Sequence, residues 1–225
     1  AGNKSTMCGR FSATFSFREI KVRWNLQGDF SFEPRYNIAP SQSVPVIVKS
    51  EKGYEVKLMN WGLVPSWSPD PSIGNRMINA KAENLTSSRA YAPLVGKFRH
   101  RCLIVADGFY EWMKAEDPKQ PRQPWHFQVD GGEPFAFAGL CTRKEWSDPE
   151  DRGYDDGYLY TCTLVTTTPN KVVAPVHDRM PAILPSPEAE AAWLNPELSA
   201  EDAVAMCGPL DASRMSSAPA NPKLN

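Results

Sequence analysis

The stretch VPVIVKSEKGYEVKLM, Val44–Met59, holds two runs of different texture around a polar break. Val44 to Val48 is dense in β-branched residues, while Tyr54 to Met59 alternates Tyr54, Val56 and Leu58 with Glu55 and Lys57. A period of two puts successive side chains on opposite faces of a strand, a pattern that a helix of 3.6 residues per turn does not reproduce. Both runs predict strands. The same reading extends to Cys102–Val105, Trp125–Val129, Pro134–Leu140 and Tyr158–Thr167. Helical signals are fewer. Ser16–Asn25 sets Phe17, Ile20 and Trp24 on one face. Ser186 followed by Pro187, Glu188 and Glu190 is a capped start with acidic first-turn residues. Ser199 with Asp202 opens a second capped helix that Gly208 closes. The chain predicts a mixed α+β fold dominated by antiparallel sheet.

The 225 residues suffice for one domain with a real core, and 41% hydrophobic against 23% charged residues predicts a soluble globular chain. A net charge of −1 supplies no global basic field, so any phosphate contact must come from a local patch. Twenty-one prolines and 14 glycines favour short strands and loops. No apolar run approaches the ~18 residues of a membrane span. Ala1–Thr6 lacks the apolar stretch of a secretion signal and reads as a cloning remnant ahead of a start at Met7, which predicts a cytoplasmic protein. Residues 1–7 are then a leader, 8–210 a single domain and 211–225 a tail too polar to pack well. Lys144–Gly157 reads as a solvated acidic loop, and Lys97, Arg99, His100 and Arg101 as a solvated basic edge. Five cysteines with no C-x-x-C pair predict neither a disulfide framework nor a zinc site. Cys102, Cys141 and Cys162 lie in strand-like runs and read as core, and Cys207 ends a helical run. Only Cys8 has a chemical setting.

Four stretches pair a reactive group with an unusual neighbourhood: Cys8-Gly9-Arg10; Asn79-Ala80-Lys81-Ala82-Glu83; ADGFYEW (Ala106–Trp112), with Glu111 among aromatics; and HDRMP (His177–Pro181). Each has a plainer reading. Glu111 is also what an exposed strand residue looks like, His177 beside Asp178 and Arg179 fits a surface turn, and Asn79 fits a turn or cap. The tryptophans are mostly core material, but Trp67 sits in a Pro- and Ser-rich loop that is hard to bury.

Taken together, MCGRF, RYNIAPSQ (Arg35–Gln42), WGLVPSW (Trp61–Trp67), NAKAE, ADGFYEW and HDRMP occur in the order and spacing of one family. From Met7 to about Leu210 the chain resembles the SOS-response-associated peptidase (SRAP) family, the abasic-site processing proteins of bacteria and their eukaryotic relative. The resemblance implies a barrel-like antiparallel core with a few peripheral helices. It implies a monomer that uses no cofactor or metal and acts on single-stranded DNA containing abasic sites, at the nucleoid or replication fork. The activity implied is a single-turnover covalent crosslink, with peptidase (hydrolase) action on the leader and lyase activity.

The crosslink gives Met7-Cys8 a meaning. Removal of Met7 leaves a thiol and a free α-amine on neighbouring carbons, which close a five-membered thiazolidine on an aldehyde. An α-amine titrating at ~7.7–8.0 is about one-tenth uncharged at pH 7, whereas a lysine near ~10.4 is almost wholly charged. By resemblance the catalytic residues are Cys8, Asn79, Glu111 and His177. Asn79 orients the N-terminus or sugar, Glu111 moves protons and His177 protonates the opening sugar oxygen. The aromatic flanks of Glu111 fit a carboxyl whose pKa is raised by desolvation. Arg10, Lys81, Arg89 and Arg179 are the implied phosphate contacts, Trp67 the stacking group, and Asn37 and Pro40 the site wall. Lys81 stands where many members carry arginine, a point charge in place of a bidentate fork. Two other readings remain: an N-terminal-cysteine amidotransferase or hydrolase, which also begins Met-Cys-Gly, and a non-covalent single-strand-binding module.

Overall fold

The computed structural model describes residues 9–113, 120–146 and 157–224. Its framework grows from the stretch read first. β3 (Ser43–Ser50) and β4 (Gly53–Trp61) form an antiparallel hairpin in register from Ser43↔Asn60 to Ser50↔Gly53. β3 pairs with β6 (Arg101–Ala106), β6 with β9 (Phe135–Glu145), and β9 with β10 (Tyr158–Thr167), all antiparallel. β10 then meets β4 in parallel at Thr161↔Asn60 and Cys162↔Trp61, so the five strands close into a barrel. Val46, Cys102, Ile104, Phe137, Cys162 and Trp61 share its inner face by the period-two rule, each 1% exposed or less. Burial pushes the Cys102 and Cys162 thiols well up, and with Cys141 and Cys207 they are free and buried.

A second antiparallel sheet lies against this barrel, in the order β12 (Met215–Pro219), β8 (Gln123–Val129), β7 (Gly108–Met113), β1 (Arg10–Ala13), β2 (Arg35–Ile38). Phe11 of β1 and Phe109 of β7 carry it onto Phe137 of β9, ring to ring at 5.9 and 6.2 Å. The chain changes sheets at Asp107, between β6 and β7. Its carboxylate accepts from Ser12 Oγ and from the Thr14 amide and hydroxyl, tying the switch to β1. Gly108 follows because a Cβ there would lie 2.1 Å from His126 Nε2.

The helices behave as their caps predict. α1 (Phe17–Trp24) starts at Ser16 in a reciprocal capping box with Glu19 and stops at Asn25, which is left-handed at φ 48°. Buried Glu190 holds α1 in place, accepting from Trp24 Nε1 and Arg23 Nη2, each at 2.7 Å. A short α2 spans Ala92–Val95; α3 (Pro187–Trp193) and α4 (Ala200–Ala205) are capped by Ser186 and Ser199.

Two expectations fail for physical reasons. The polar tail packs: β12 pairs with β8 from Met215↔Val129 to Pro219↔Trp125, because a strand edge offers backbone partners whatever the side chains are. Arg101, read as part of a solvated edge, is 0% exposed. Its guanidinium donates to the carbonyls of Val95, Trp193, Asn195 and Leu198 at 2.6–3.3 Å, among them the last residues of α2 and α3. Those are carbonyls a helix end leaves without partners. Most of the acidic segment read as a loop, 147–156, lies outside the described residues.

Candidate functional site

The NAKAE and HDRMP blocks meet at the C-terminal end of β10. β5 (Asn79–Lys81) runs parallel beside it, with Leu164↔Asn79 and Thr166↔Lys81. β11 (Met180–Pro181) pairs across the same end at Thr166 and Thr167. Arg179 clamps the two blocks: Nη1 and Nη2 donate to Glu83 Oε1 and Oε2 at 2.8 and 2.9 Å, and Nη2 also reaches the Thr166 carbonyl at 2.7 Å. This bidentate pair makes Arg179 a strut between motifs, and its partner Glu83 was given no role by the sequence. Partial burial raises the Glu83 pKa, but the Arg179 hydrogen bond and charge outweigh it, so the carboxyl sits below its usual range.

A carboxyl depressed in this way stabilises the fold above its unfolded pKa, and that contribution is lost as pH falls through the lower folded value. The Glu83 side chain is 54% exposed and water screens the pair, so Glu83→Gln is expected to cost about 0.5–1 kcal/mol at pH 6, with the gap to the parent closing as the carboxyl is protonated at lower pH. Urea midpoints across that range check it; a pH-independent gap would deny the pair its charge.

His177 is 6% exposed, its amide bonded to the Val173 carbonyl at 3.0 Å. Nδ1 accepts from the Arg179 amide at 3.1 Å, and an acceptor nitrogen carries no proton, so the neutral ring holds its proton on Nε2. Asp178 Oδ1 lies 3.2 Å from the same Nδ1, ready to receive its proton when the ring is charged. The two protonation states of the ring therefore differ in the partner that Nδ1 meets. Under β5, Tyr91 Oη donates to the Asn79 carbonyl at 3.3 Å, and burial pushes this phenol up to about 12, keeping it neutral.

Glu111 occupies the middle of β7, 1% exposed, paired with Trp125 of β8. It shares the face of Phe109, which turns toward the barrel. On the other side of β7, Arg10 of β1 pairs with Tyr110, so the described chain begins, at Gly9, against the strand that carries Glu111. Cys8 itself lies outside the described residues. Arg10 Nη1 donates to Asn37 Oδ1 and to the Leu224 carbonyl, both at 2.9 Å, and Asn37 Nδ2 reaches that same carbonyl at 2.8 Å. Two residues read as DNA contact and site wall are thereby joined to the C-terminal turn. Half-buried Pro40 leads into Ser41, whose amide bonds to the Trp61 carbonyl at 2.8 Å.

Trp61 links the two groups, a role the sequence reading did not assign. Its Nε1 donates at 2.9 Å to the carbonyl of Ile78, the residue before Asn79, and its ring meets Phe11, the neighbour of Arg10, at 5.0 Å. The loop after Trp61 carries Trp67 out to 48% exposure, with the Arg89 guanidinium 4.6 Å from its ring centre. Lys81 is exposed at the end of β5.

This loop leaves β4 through two glycines set backbone to backbone. Gly62 has φ 138°, and a Cβ on it would lie 2.5 Å from the Gly74 carbonyl oxygen. Gly62→Ala adds backbone strain to a clash that backbone cannot yield to, with an expected cost of about 2–4 kcal/mol. A thermal melt checks it; an unchanged midpoint would mean the loop has room to shift.

A family model described as SOS response associated peptidase (SRAP) matches residues 7–225. Abasic site processing protein YoqW of Bacillus subtilis (strain 168) is 40% identical over 214 residues, which cover 93% of this chain and 90% of that protein. Abasic site processing protein YedK of Escherichia coli (strain K12) is 30% identical over 220 residues, covering 93% and 90%. A crystal structure of a Bacteroides thetaiotaomicron protein, 24% identical, superposes with a TM-score of 0.81 over 95% of this chain and 92% of that one, which establishes a shared fold.

Proposed function

The chain belongs to the SOS response associated peptidase (SRAP) family, and from that premise we propose that it captures abasic sites in single-stranded DNA through Cys8, once residues 1–7 are removed. The relatives named as abasic site processing proteins support the substrate. The observation that carries the chemistry is Glu111: a carboxyl 1% exposed, on the strand against which the chain enters one residue after Cys8.

Hydrolysis of the Met7–Cys8 peptide bond consumes one water and frees the amine. His177 gives a proton to the ring oxygen of the abasic sugar as the C1′–O4′ bond breaks, the C1′ hydroxyl loses its proton to water to become the aldehyde, and Asp178 stabilises the charged form of the imidazole. The Cys8 amine adds to the aldehyde carbon, and the carbinolamine loses water to give an imine. The thiol sulfur then adds to that carbon and its proton passes to nitrogen, closing the thiazolidine. Overall, amine, thiol and aldehyde become one ring and one water. Glu111 takes the proton from the adding amine and returns it to the leaving hydroxyl, a shuttle that burial protects from competing water. Asn79 holds the sugar or amine in place.

Trp67 and Arg89 offer a flat ring and a cation on the rim, which suits a base and phosphate beside the lesion. Lys81 and Arg10 add charge. Arg179 is assigned to holding Glu83, not to phosphate.

A denaturing gel tests the proposal, with single-stranded DNA bearing one abasic site. Protein beginning at Cys8 is expected to give a shifted band, and Cys8→Ala and the leader-bearing chain none. A band from Cys8→Ala would move the chemistry to another nucleophile. Tight, salt-sensitive native binding with no band from any form would leave a non-covalent single-strand-binding module.

A further inference from the structure

The barrel strands have two ends, and the candidate site uses only one. β10 reaches β5 and Arg179 at Leu164–Thr166, but begins at Tyr158 on the far side. β4 ends at Trp61 and starts at Gly53, while β9 leaves Phe137 and runs out to Arg143. Tyr160 and Thr166 are six residues apart on β10, about 20 Å along a strand. Between the ends the lumen is filled by Trp61, Phe137, Cys102 and Cys162, all buried.

At the far end the barrel opens into a cavity of about 390 Å³, within the range of small-molecule sites, and barrel mouths are a recurrent place for them. Its floor includes Met59 and Cys141. Three permanent cations line it from three elements: Lys57 of β4, Arg99 of the helical turn Phe98–His100, and Arg143 of β9. Glu55 is the acidic residue among the lining groups, and it accepts from Ser50 Oγ at 2.7 Å.

Aromatic faces hold all three of these cations, Arg99 against Phe98 at 5.7 Å. Lys57 Nζ stands 5.1 Å from the centre of the Tyr160 ring, and the Arg143 guanidinium 4.5 Å from that of Tyr158. His100 completes the wall. Its Nδ1 is 3.0 Å from the Cys141 carbonyl, which can only accept, so that nitrogen carries the ring proton and the neutral ring is left with an acceptor at Nε2.

Three like charges gathered around one concavity, in a chain whose net charge is −1, favour an anion of matching size there. We propose that the open mouth of the barrel binds a phosphate monoester, supplied as the free anion, as a nucleoside monophosphate, or as the 5′-phosphate of a DNA strand. Lys57, Arg99 and Arg143 neutralise it, and the Tyr160 and Met59 side lodges whatever the phosphate is attached to. This site stands independently of the reading of Cys8.

Calorimetric titration at low salt tests it with three probes: inorganic phosphate, deoxyadenosine monophosphate, and a short single strand with and without a 5′-phosphate. The expected result is saturable binding of at least one phosphate-bearing probe. The combined Lys57→Gln and Arg99→Gln variant weakens it at least about tenfold, and Lys57→Arg retains it. Melting curves verify that the variants fold, and crosslinking to abasic DNA stays at the parent level. The probe that saturates identifies the source. Absence of saturable binding by all three, a phosphorylated strand binding no better than its unphosphorylated twin when the other probes fail, or parent-like affinity in the folded double variant each overturns the proposal.

Discussion

Glu111→Gln is expected to slow crosslinking to an abasic site by about 10²–10⁴-fold, the scale of one general acid–base group, while leaving affinity for the unmodified strand within about twofold. Glutamine keeps the size and much of the hydrogen-bonding capacity of the side chain, so β7 and its pairing with β8 should persist. What is removed is the ability to take and return a proton. Single-turnover formation of the denaturant-resistant band measures the rate, and fluorescence anisotropy on unmodified single strands measures binding. A variant that crosslinks at the parent rate would make Glu111 a structural carboxylate. One that loses rate and affinity together would make it a determinant of site shape.

The largest expected loss of stability is far from the chemistry. Arg101→Leu should destabilise the fold by about 3–5 kcal/mol, because it strips the guanidinium from four carbonyls, of which that of Asn195 keeps the Leu198 amide as a donor while those of Val95 and Trp193 are left in a buried setting. The expected fall in melting temperature is roughly 10 °C for a chain of this length. Arg101→Lys is expected to lose much of the same, since one ammonium cannot present donors to carbonyls from Val95, Trp193, Asn195 and Leu198 at once. Urea denaturation of both variants checks the claim. A loss under about 1 kcal/mol for leucine would show that the helix ends find water once the guanidinium is gone.

The two residues differ in how legible they were. Glu111 was picked out because its motif stands in a recognisable order with five others, yet alternation alone favoured an exposed position. A period of two assigns a side chain to a face but does not say whether that face is covered. Here the covering is the barrel, brought against β7 through Phe109 and Phe137. Arg101 was misread because charge in a local window predicts solvent. The carbonyls that justify its burial come from residues up to 97 positions away.

Taken alone, the sequence determined the two strands within Val44–Met59, the strand Tyr158–Thr167 with the bounds it has in the fold, the capped starts at Ser186 and Ser199, the burial of Cys102, Cys141 and Cys162, and the family's motifs. Each rests on periodicity, a cap or a motif, which neighbouring residues specify between themselves. The closure of the barrel, the addition of the polar C-terminal strand, the Glu83–Arg179 clamp and the cationic mouth were decided by tertiary structure. In each of these the partner lies far along the chain. Backbone pairing at a sheet edge is indifferent to side-chain type, and an ion pair between distant residues leaves no local pattern, so both exist only once the chain has closed on itself.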